Sequence, residues 1–308
     1  MPPPPVCLSP PVKSERVLLL GSRGLLGSSL AQTFRNLYSN LRRMDRAELN
    51  VANLDQLKSG LQAAGFDILI NATGHTAVDD CEIDEHLANL VNGDAPGVMA
   101  EIAAAKGARL VHFSTDYVFD GSRERPYKED DDARPISTYG RSKLAGEGAV
   151  IESSGDHLVI RLSWLFGPGR PAFPEWVLRT VLTDAPARIV CDKFASPAYA
   201  PDIAEWLGAL LDRPAPAGIY HLCNSGVCAW SDYGQCVLDC AHESGLLPEP
   251  HSVEPIQLAD LTGLTAQRPL YSALDTSKFT EQTGITPRPW REVVRAHVQG
   301  IDRTRLTG

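Results

Sequence analysis

A short apolar segment followed by a glycine-rich turn is the feature that most constrains the fold of this chain. Val17–Leu20 is a continuous apolar run, as in strands that are buried on both faces of a sheet. Gly21, Gly24 and Gly27 follow at GxxGxxG spacing, and a helical pattern covers residues 28–37. Strand, glycine turn and helix in this order are the context in which parallel α/β sheets bind dinucleotides. The pattern therefore predicts a doubly wound α/β fold.

Each glycine has its own role if this turn binds a dinucleotide. Gly21 permits the tight turn, Gly24 lets the backbone approach a diphosphate, and Gly27 lets the helix pack close to the strand. The helix N-terminus adds backbone N–H groups and the positive end of its dipole. A glycine triplet is also compatible with a structural loop, but the flanking strand and helix favour a cofactor. The predicted cofactor-binding residues of the turn are Gly21, Arg23, Gly24, Leu25, Leu26 and Gly27.

Basic residues near the second predicted strand, Asn40–Met44, bear on the choice of cofactor. Arg42, Arg43 and Arg46 lie in this strand or close to its end. An arginine here suits the 2′-phosphate of NADP, whereas a carboxylate such as Asp45 suits the free ribose of NAD. Solvated arginines would select neither cofactor. The arginines favour NADPH, with NADH as the alternative, and Arg46 joins the predicted cofactor-binding residues.

Strands and helices continue to alternate after the second strand. Phe66–Ala72 predicts a buried strand that ends at the carboxyl edge of the sheet, where ligands bind in doubly wound folds. The residues that follow the strand core, Ala72, Thr73 and Gly74, are therefore predicted to contact the cofactor. Other predicted elements are helices at Leu54–Ala64, after the N-cap Asn53, and at Glu85–Lys106, interrupted at Pro96, and strands at Arg109–Ser114 and His157–Ser163.

A hydroxyl and a Tyr/Lys pair form a candidate proton-transfer site. Thr115 ends a predicted strand, and Tyr139 and Lys143 stand four residues apart on the next predicted helix, residues 139–153. That spacing places both side chains on one helix face. An ammonium beside a phenol lowers the phenol pKa from about 10 towards neutrality. A solvated helix face explains an isolated YxxxK equally well, but the upstream glycine turn favours catalytic roles for Thr115, Tyr139 and Lys143.

The composition of the sequence changes at residue 167. The segment GPGRPAFPEW that begins there is rich in proline and glycine, which suggests a crossing between two lobes. Residues 16–167 are predicted to form a Rossmann domain, to which residues 197–224 return. Residues 168–196 and 225–308 are predicted to form a smaller α/β substrate lobe. Residues 1–15 are rich in proline and are predicted to be a flexible arm.

Composition and charge argue against several classes of protein. The net charge of -9 argues against a nucleic acid or an anionic membrane as partner. No apolar run reaches the length of about 18 residues that a spanning helix needs. The N-terminus does not resemble a secretory signal, so a cytoplasmic location is predicted. The seven cysteines lack the usual C-x2-C zinc spacing, which favours packed, reduced thiols over a zinc site.

Seven stretches along the chain resemble the dTDP-4-dehydrorhamnose reductase family, a branch of the extended short-chain dehydrogenase/reductases. They are, in order, NATGHTAVDDCE, FSTDYVFDG, YGRSKLAGE, RLSWLFGPG, DKFASPAYAPDIA, GIYHLCNSG and RPLYSALDTSKF. The string STDYVFDG with a downstream YGxSK is specific, and the resemblance covers nearly all of the chain after Glu15. It implies NAD(P)H-dependent reduction of the C4 ketone of a nucleotide-linked 6-deoxy sugar. We expect a nucleotide sugar as partner and a monomer or homodimer.

The resemblance also implies roles for individual residues. Tyr139 would donate the proton, Lys143 would hold the nicotinamide ribose and lower the pKa of Tyr139, and Thr115 would polarise the ketone. Asn92 corresponds to an asparagine on the helix behind the site. Residues expected to line the sugar pocket are Thr76, Val78, Asp116, Tyr117 and Trp164, and those expected near the adenosine are Asn50 and Val51.

Three departures from the family pattern restrict these expectations. Residues 50–53 read Asn-Val-Ala-Asn, whereas the family often has an acidic DxxD near the adenine. Ser29 stands where some members have a glutamate that binds Mg²⁺ at a dimer interface, so no metal of that kind is predicted. Residues 192–198 read DKFASPA in place of DQFGSPT, which leaves the sugar and the nucleotide open.

Two other functions are compatible with the same residues. A related 4-ketoreductase would make another deoxysugar. The regulatory subunit of methionine adenosyltransferase, a non-catalytic protein, also resembles this family in its strand and in its Tyr/Lys helix. Thr115 in place of the regulatory form's serine, Trp164 beside the pocket and the uninterrupted glycine turn favour the enzyme.

Overall fold

Strands and helices alternate through the first half of the chain. The computed structural model describes residues 12–153, 155–213 and 215–306. In chain order the first elements are β1 (Lys13–Leu20), α1 (Leu25–Leu37), β2 (Tyr38–Met44), α2 (Leu54–Ala63), β3 (Ile68–Asn71), α3 (Val78–Ile83), α4 (Glu85–Asn89), α5 (Ala95–Ala105), β4 (Arg109–Thr115), α6 (Thr138–Glu152) and β5 (Leu158–Leu162).

The second half contains shorter strands. They and the remaining helices are β6 (Leu165–Phe166), α7 (Phe173–Leu182), β7 (Arg188–Val190), β8 (Phe194–Ala195), β9 (Ala198–Tyr199), α8 (Ala200–Asp212), β10 (Gly218–His221), β11 (Cys228–Ala229), α9 (Trp230–Glu243), β12 (Glu254–Ile256), α10 (Ser277–Thr283) and α11 (Trp290–Gln299). The pairs β6–β9, β7–β12 and β8–β11 form small two-stranded sheets. The predicted boundaries between the two lobes stay a prediction.

The main sheet has six strands, all parallel, in the order β2-β1-β3-β4-β5-β10. The strand order reverses between β1 and β3, and ligands of doubly wound folds bind at the carboxyl ends of the strands at such a point. β10 pairs with β5, with Gly218 opposite Leu158, so this segment returns to the main sheet. The predicted α/β class and the doubly wound parallel sheet are confirmed.

The apolar run of β1 is explained by burial on both faces of the sheet. Successive side chains of a strand point to opposite faces. Val17 and Leu19 therefore join one core, and Leu18 and Leu20 join the core on the other face. Full burial of each such side chain contributes about 1.5–3 kcal/mol. A third core lies in the second half of the chain and contains Cys228, Cys236 and Cys240 as buried free thiols.

Two elements differ from the predicted ones. β1 begins at Lys13 because its first residues pair with β2, where the Asn40 side chain donates to the Ser14 carbonyl oxygen at 2.9 Å. The predicted helix at residues 85–106 divides at a π-helical turn, Leu90–Asp94, and α5 begins with Pro96 in its first turn. A proline is tolerated there because the π-helical turn before it interrupts the regular i to i−4 hydrogen bonds of the helix.

The predicted Pro-rich arm, residues 1–15, lies largely outside the described residues. Within the part of the chain that is described, none of the helices has both the length and the apolar character needed to cross a membrane.

Candidate active site

The glycine turn has no room for side chains at two of its glycines. Gly21 has a φ of +77°, and a Cβ there would lie 2.6 Å from the Ala72 carbonyl oxygen. A Cβ at Gly27 would lie 2.1 Å from the Gly21 carbonyl oxygen. Gly24 is the N-cap of α1; among the described residues no side chain caps this end, and the first turn has no acidic residue. The first N–H groups of α1 are therefore available to an anion, which fits a diphosphate.

The segment after β3 is held beside this turn by a buried asparagine. Asn71 Oδ1 accepts hydrogen bonds from the backbone N–H of Thr73 at 3.1 Å and from its hydroxyl at 2.5 Å. The Asn71 amide nitrogen lies 3.1 Å from Nδ1 of the buried His112. These bonds fix the backbone at the crevice where the strand order reverses. The predicted cofactor-binding residues found there are Ala72, Thr73 and Gly74.

The carboxylate that would suit NAD, Asp45 just after β2, already forms an ion pair within the chain. Arg23 Nε lies 2.7 Å from Asp45 Oδ2, and the other Asp45 oxygen accepts a backbone N–H two residues further on at 2.9 Å. Arg46 is exposed beside this pair. Asp45 is thus bonded within its own chain, while Arg46 is accessible to a 2′-phosphate. Asn50 is half-buried after this turn, and Val51 belongs to the core.

Thr115, Tyr139 and Lys143 come together at the carboxyl end of β4. Thr115 is the last residue of the strand. Ser137 caps α6 by accepting the Gly140 N–H at 3.1 Å, which places Tyr139 in the first turn and Lys143 one turn later. The three side chains are buried, and the Thr115 hydroxyl acts on the Tyr139 phenol by lowering its pKa. The three predicted catalytic residues therefore share one site.

The electrostatics of Tyr139 differ from the expectation. Burial raises the pKa of Tyr139, and the Asp116 and Cys81 side chains raise it further, against the effect of the hydrogen bond with Thr115. Lys143 Nζ donates to the Phe113 carbonyl oxygen at 2.6 Å, and burial lowers the pKa of Lys143 to about 8. The prediction that Lys143 lowers the pKa of Tyr139 is wrong here, because desolvation of the phenol dominates. Tyr139 is a protonated acid at neutral pH.

Asp116, next to Thr115, is a buried carboxyl group with partners on two sides. One oxygen accepts the Thr115 hydroxyl at 3.1 Å, and the other accepts the Ser272 hydroxyl. Thr115 Oγ1 also accepts the Tyr117 N–H at 3.2 Å. Burial raises the pKa of Asp116, while the charge of Lys193 acts in the opposite direction. Sequence reasoning gave Ser272 and Lys193 no role at this site, although both lie in stretches that carry the family resemblance, RPLYSALDTSKF and DKFASPAYAPDIA.

Trp164 lies at the carboxyl end of β5 with an unusual backbone and an unpaired N–H. Its φ is +41°, and its ring packs on Trp230, with the centroids 5.5 Å apart. Three buried polar atoms at the ends of β4 and β5 have no hydrogen-bond partner among the described residues, namely Ser114 Oγ, Ser163 Oγ and Trp164 Nε1. Buried polar groups are normally paired, so these atoms are available to a ligand that reaches them.

The other predicted pocket residues surround Tyr139. The Tyr117 ring meets the Tyr139 ring edge-on, with the centroids 5.7 Å apart, and Val78 packs against the same cluster. Thr76 is exposed just before α3. Asn92 lies behind the site, where its Oδ1 accepts the backbone N–H of residue 75 at 2.9 Å and its amide donates to residue 142 at 3.1 Å. Loop, helix and site are thereby held together.

A contact that sequence reasoning did not anticipate ties the second half of the chain to α3. Arg268 pairs with Asp79 at 2.6 Å, and Asp79 also accepts the backbone N–H groups of Thr265 and Ala266 at 2.8 and 2.9 Å. The hydrogen bond from Arg268 lowers the pKa of Asp79 to about 2. This clamp holds the loop before residue 269 against α3.

Comparison with known proteins identifies the family. The family described as "RmlD substrate binding domain" matches residues 15–303. The chain belongs to this family. A dTDP-4-dehydrorhamnose reductase from Burkholderia thailandensis is 32% identical over 303 residues, covering 93% of this chain and 99% of that protein. The spore coat polysaccharide biosynthesis protein SpsK of Bacillus subtilis is 34% identical over 284 residues, covering 92% and 97%.

A solved structure agrees with these relatives. The dTDP-4-dehydrorhamnose reductase from Bacillus anthracis, crystallised in complex with NADP, has a TM-score of 0.86 and 28% identity, and the match covers 92% of this chain and 99% of that one. The predicted membership of the dTDP-4-dehydrorhamnose reductase family is confirmed.

Proposed function

We propose that this protein is an NADPH-dependent reductase that converts the C4 ketone of a nucleotide-linked 6-deoxy sugar to an alcohol, with dTDP-4-dehydro-L-rhamnose as substrate and dTDP-L-rhamnose as product. The observation that carries the proposal is that the buried Thr115, Tyr139 and Lys143 meet at the carboxyl end of β4, beside a glycine turn that fits a diphosphate. Membership of the reductase family supports the same chemistry.

Tyr139 is the proton donor of the proposed reaction. NADPH supplies a hydride to the ketone carbon when it is bound. The new alkoxide is far more basic than a phenolate, so the Tyr139 phenol, which holds its proton at neutral pH, transfers that proton to the C4 oxygen. General acid help of this kind is typically worth about 10²–10⁴-fold. The raised pKa makes Tyr139 a weaker acid, but the alkoxide is basic enough to take its proton.

The remaining residues bind and orient the reactants. Lys143 lies one turn from Tyr139 and holds the cofactor's ribose in this proposal. Trp164 offers a ring face to the deoxy-sugar and its free Nε1–H to a sugar oxygen. The fold has to hold the reacting carbons at about 3–3.5 Å. Arg46 binds the 2′-phosphate, which is why we favour NADPH over NADH.

A coupled assay tests the proposal. The 4-keto-6-deoxy sugar nucleotide is generated in the same tube by its dehydratase and epimerase, and loss of the reduced nicotinamide absorbance is followed with NADPH and then with NADH. Oxidation that depends on the epimerase is the expected result, and it should be faster with NADPH. Oxidation without the epimerase would assign another deoxysugar. If the protein binds the cofactor but does not oxidise it in this assay, the proposed enzyme activity would be overturned in favour of a regulatory protein.

Three further features belong to this proposal. The partner is a nucleotide sugar and not a nucleic acid or a membrane, in keeping with the net charge of -9. A cytoplasmic location and a monomeric or homodimeric state stay predictions; size-exclusion chromatography with light scattering would determine the latter.

A further inference from the structure

A row of four aromatic rings runs from the carboxyl end of β5 to the protein surface. The Trp164 and Trp230 centroids lie 5.5 Å apart, Trp230 stacks with Phe173 at 6.0 Å, and Phe173 stacks with Trp176 at 5.8 Å. Trp176 on α7 is 49% exposed, and the other three side chains are half-buried. Among the described residues, Trp176 meets no aromatic ring except Phe173. It is therefore the outer end of this aromatic row.

A buried tyrosine supports the aromatic row from the core. Tyr233 is buried, and its ring lies 4.8 Å from that of Phe173 and 6.2 Å from that of Trp164, to which it is nearly parallel. Phe166 and Trp290 pack against the same tyrosine ring at 5.6 and 6.0 Å. The row is thus fixed by the core of the second half of the chain, and a ligand that binds to it does not have to order it first.

The inner end of the aromatic row has two features that point to a ligand. Single exposed aromatic side chains are ordinary, but contiguous exposed apolar groups often mark a binding surface. Trp164 has a φ of +41°, which is uncommon for a bulky residue. Its Nε1 is buried and has no hydrogen-bond partner among the described residues. The row therefore begins at a polar group that is available to a ligand.

The strand order gives the direction in which a nucleotide sugar lies in the candidate site. The glycine turn follows β1, whereas Thr115 ends β4 and Trp164 follows β5, on the other side of β3. A sugar held beside Thr115 and Trp164 has the cofactor on its β1 side. Its diphosphate and nucleoside therefore extend past β5, towards α7 and the start of α9, which carry the rest of the aromatic row.

We propose that the aromatic row is the subsite for the nucleoside of the sugar nucleotide, and that the base stacks on Trp176 at the outer end. This inference rests on the proposed function, because it places the remainder of the same substrate. Every nucleobase has a π-face, so an aromatic side chain binds a base without selecting which one. The row supplies affinity for the nucleotide and does not distinguish thymine from uracil.

Nucleotide binding without turnover tests the subsite. dTDP and UDP are titrated into the full chain by isothermal titration calorimetry. Trp176→Ala should raise the Kd of both nucleotides about tenfold, within the range for loss of one base–aromatic stack, and should leave the Kd of NADPH unchanged. Trp176→Phe, which keeps a ring, should restore most of the affinity. Unchanged nucleotide affinity in Trp176→Ala, or a wild type that binds neither nucleotide, would overturn the proposal.

Ile151→Ala is the matched control for truncation of an exposed apolar side chain. Ile151 is 44% exposed at the end of α6 that is remote from Tyr139, so its truncation should leave all three Kd values unchanged. Light scattering of the same proteins tests a second copy of this chain as the occupant of the row. A Trp176→Ala protein that loses self-association and keeps the wild-type affinity for dTDP would assign the row to a subunit interface and overturn the nucleoside subsite.

Tryptophan fluorescence distinguishes direct contact from a change in packing. dTDP should quench the emission of the wild type, and Trp176→Phe should lose most of this quenching while calorimetry still shows binding. Equal quenching in the two proteins would overturn the contact with Trp176.

The coupled assay separates failure of this inference from failure of the proposed function. Trp176→Ala should raise the KM for the sugar nucleotide about tenfold at constant kcat, because the contact is the same in the ground state and the transition state. A protein that binds dTDP through Trp176 but reduces no ketosugar would overturn the proposed function alone. An active reductase whose KM and Kd do not respond to Trp176→Ala would overturn the nucleoside subsite alone.

Discussion

Helix α6 takes part in two buried polar clusters that differ in whether unpaired polar atoms lie at the same edge of the sheet. Tyr139, Lys143 and Glu147 follow each other at intervals of four residues and lie on one helix face. The Tyr139 cluster, formed by Thr115, Asp116 and Tyr139, lies at the N-terminal end of the helix. The Arg161 cluster, formed by Glu147, Arg161 and His221, lies two turns later.

In the Arg161 cluster the charges are matched within the chain. Arg161 donates to Glu147 at 2.6, 2.9 and 3.2 Å, and a further nitrogen lies 3.4 Å from His221 Nε2. His221 Nδ1 lies 3.1 Å from the Tyr127 carbonyl oxygen. In contrast, Ser114 Oγ, Ser163 Oγ and Trp164 Nε1, at the same edge of the sheet as the Tyr139 cluster, have no partner among the described residues. Paired burial indicates a structural role, whereas unpaired burial beside a crevice indicates a ligand site.

The largest expected effect is on catalysis in the Tyr139 cluster. Tyr139→Phe should lower kcat about 10²–10⁴-fold, because the acid is lost while the ring that packs against Tyr117 stays. NADPH binding and the melting temperature should change little. Tyr220→Phe, which removes a phenol on β10 far from Thr115, is the matched control and should retain kcat. A Tyr139→Phe enzyme of normal kcat would remove the catalytic distinction between the two clusters.

In the Arg161 cluster the expected loss is in stability. Arg161→Met leaves the Glu147 carboxylate buried without its main partner, and breaking such a pair typically costs about 3–5 kcal/mol. Denaturant unfolding with linear extrapolation measures this change. Arg188→Met breaks the exposed pair with Glu254 and should alter the unfolding free energy by less than about 1 kcal/mol. Equal losses at both arginines would contradict the structural role given to Arg161.

Acid should weaken the Arg161 cluster through His221. Burial and the neighbouring Arg161 lower the pKa of His221 to about 3, while an unfolded histidine titrates near 6.5. Between these values the unfolded state binds more protons, so stability falls as the pH falls through 6.5 towards 3. From pH 7.5 to pH 5 this residue should account for a loss of about 2 kcal/mol.

His221→Gln supplies the comparison for the acid effect. Its amide can still donate to a carbonyl oxygen and accept from Arg161, but it does not titrate. The variant should therefore lose about 2 kcal/mol less than the wild type over the same pH interval. Parallel pH profiles of the unfolding free energy for the two proteins would show that His221 is not the source of the loss of stability in acid.

The smallest effect is expected at the unpaired Trp164. Trp164→Phe keeps a ring against Trp230 but removes the buried, unpaired N–H, whose desolvation is unfavourable. The unfolding free energy of the unliganded protein should stay constant or rise by up to about 1 kcal/mol. The KM for the sugar nucleotide should rise about five- to tenfold, the value of one hydrogen bond. A loss of stability with unchanged KM would show that Trp164 Nε1 stabilises the core and does not contact the sugar nucleotide.

Much of the fold and some of the site could be predicted because the signals are local. The apolar run at Val17–Leu20 requires a strand buried on both faces, and the Gly21–Gly27 spacing requires a close turn beneath a helix. Tyr139 and Lys143 share a face because helical geometry fixes it. Thr115 could be assigned to the carboxyl edge because it ends a strand. The roles of these residues in catalysis stay predictions.

Other features could not be predicted because they depend on contacts between distant segments. Ser272 reaches Asp116 only because the backbone at Phe194 pairs with that at Leu270 and Ser272. The Arg268–Asp79 clamp joins a weakly patterned loop to α3. No spacing rule links these residues along the chain.

The sequence by itself determined the doubly wound sheet, the place of the glycine turn and the residues at the edge of the sheet, since period, spacing and turn chemistry are properties of short segments. Only the tertiary structure decided the charge state of the site. The pKa of Tyr139 rises because α3, α4 and Tyr117 exclude water from the phenol, and Lys143 turns to the Phe113 carbonyl oxygen. Desolvation depends on everything packed around a group, and no local pattern contains that information.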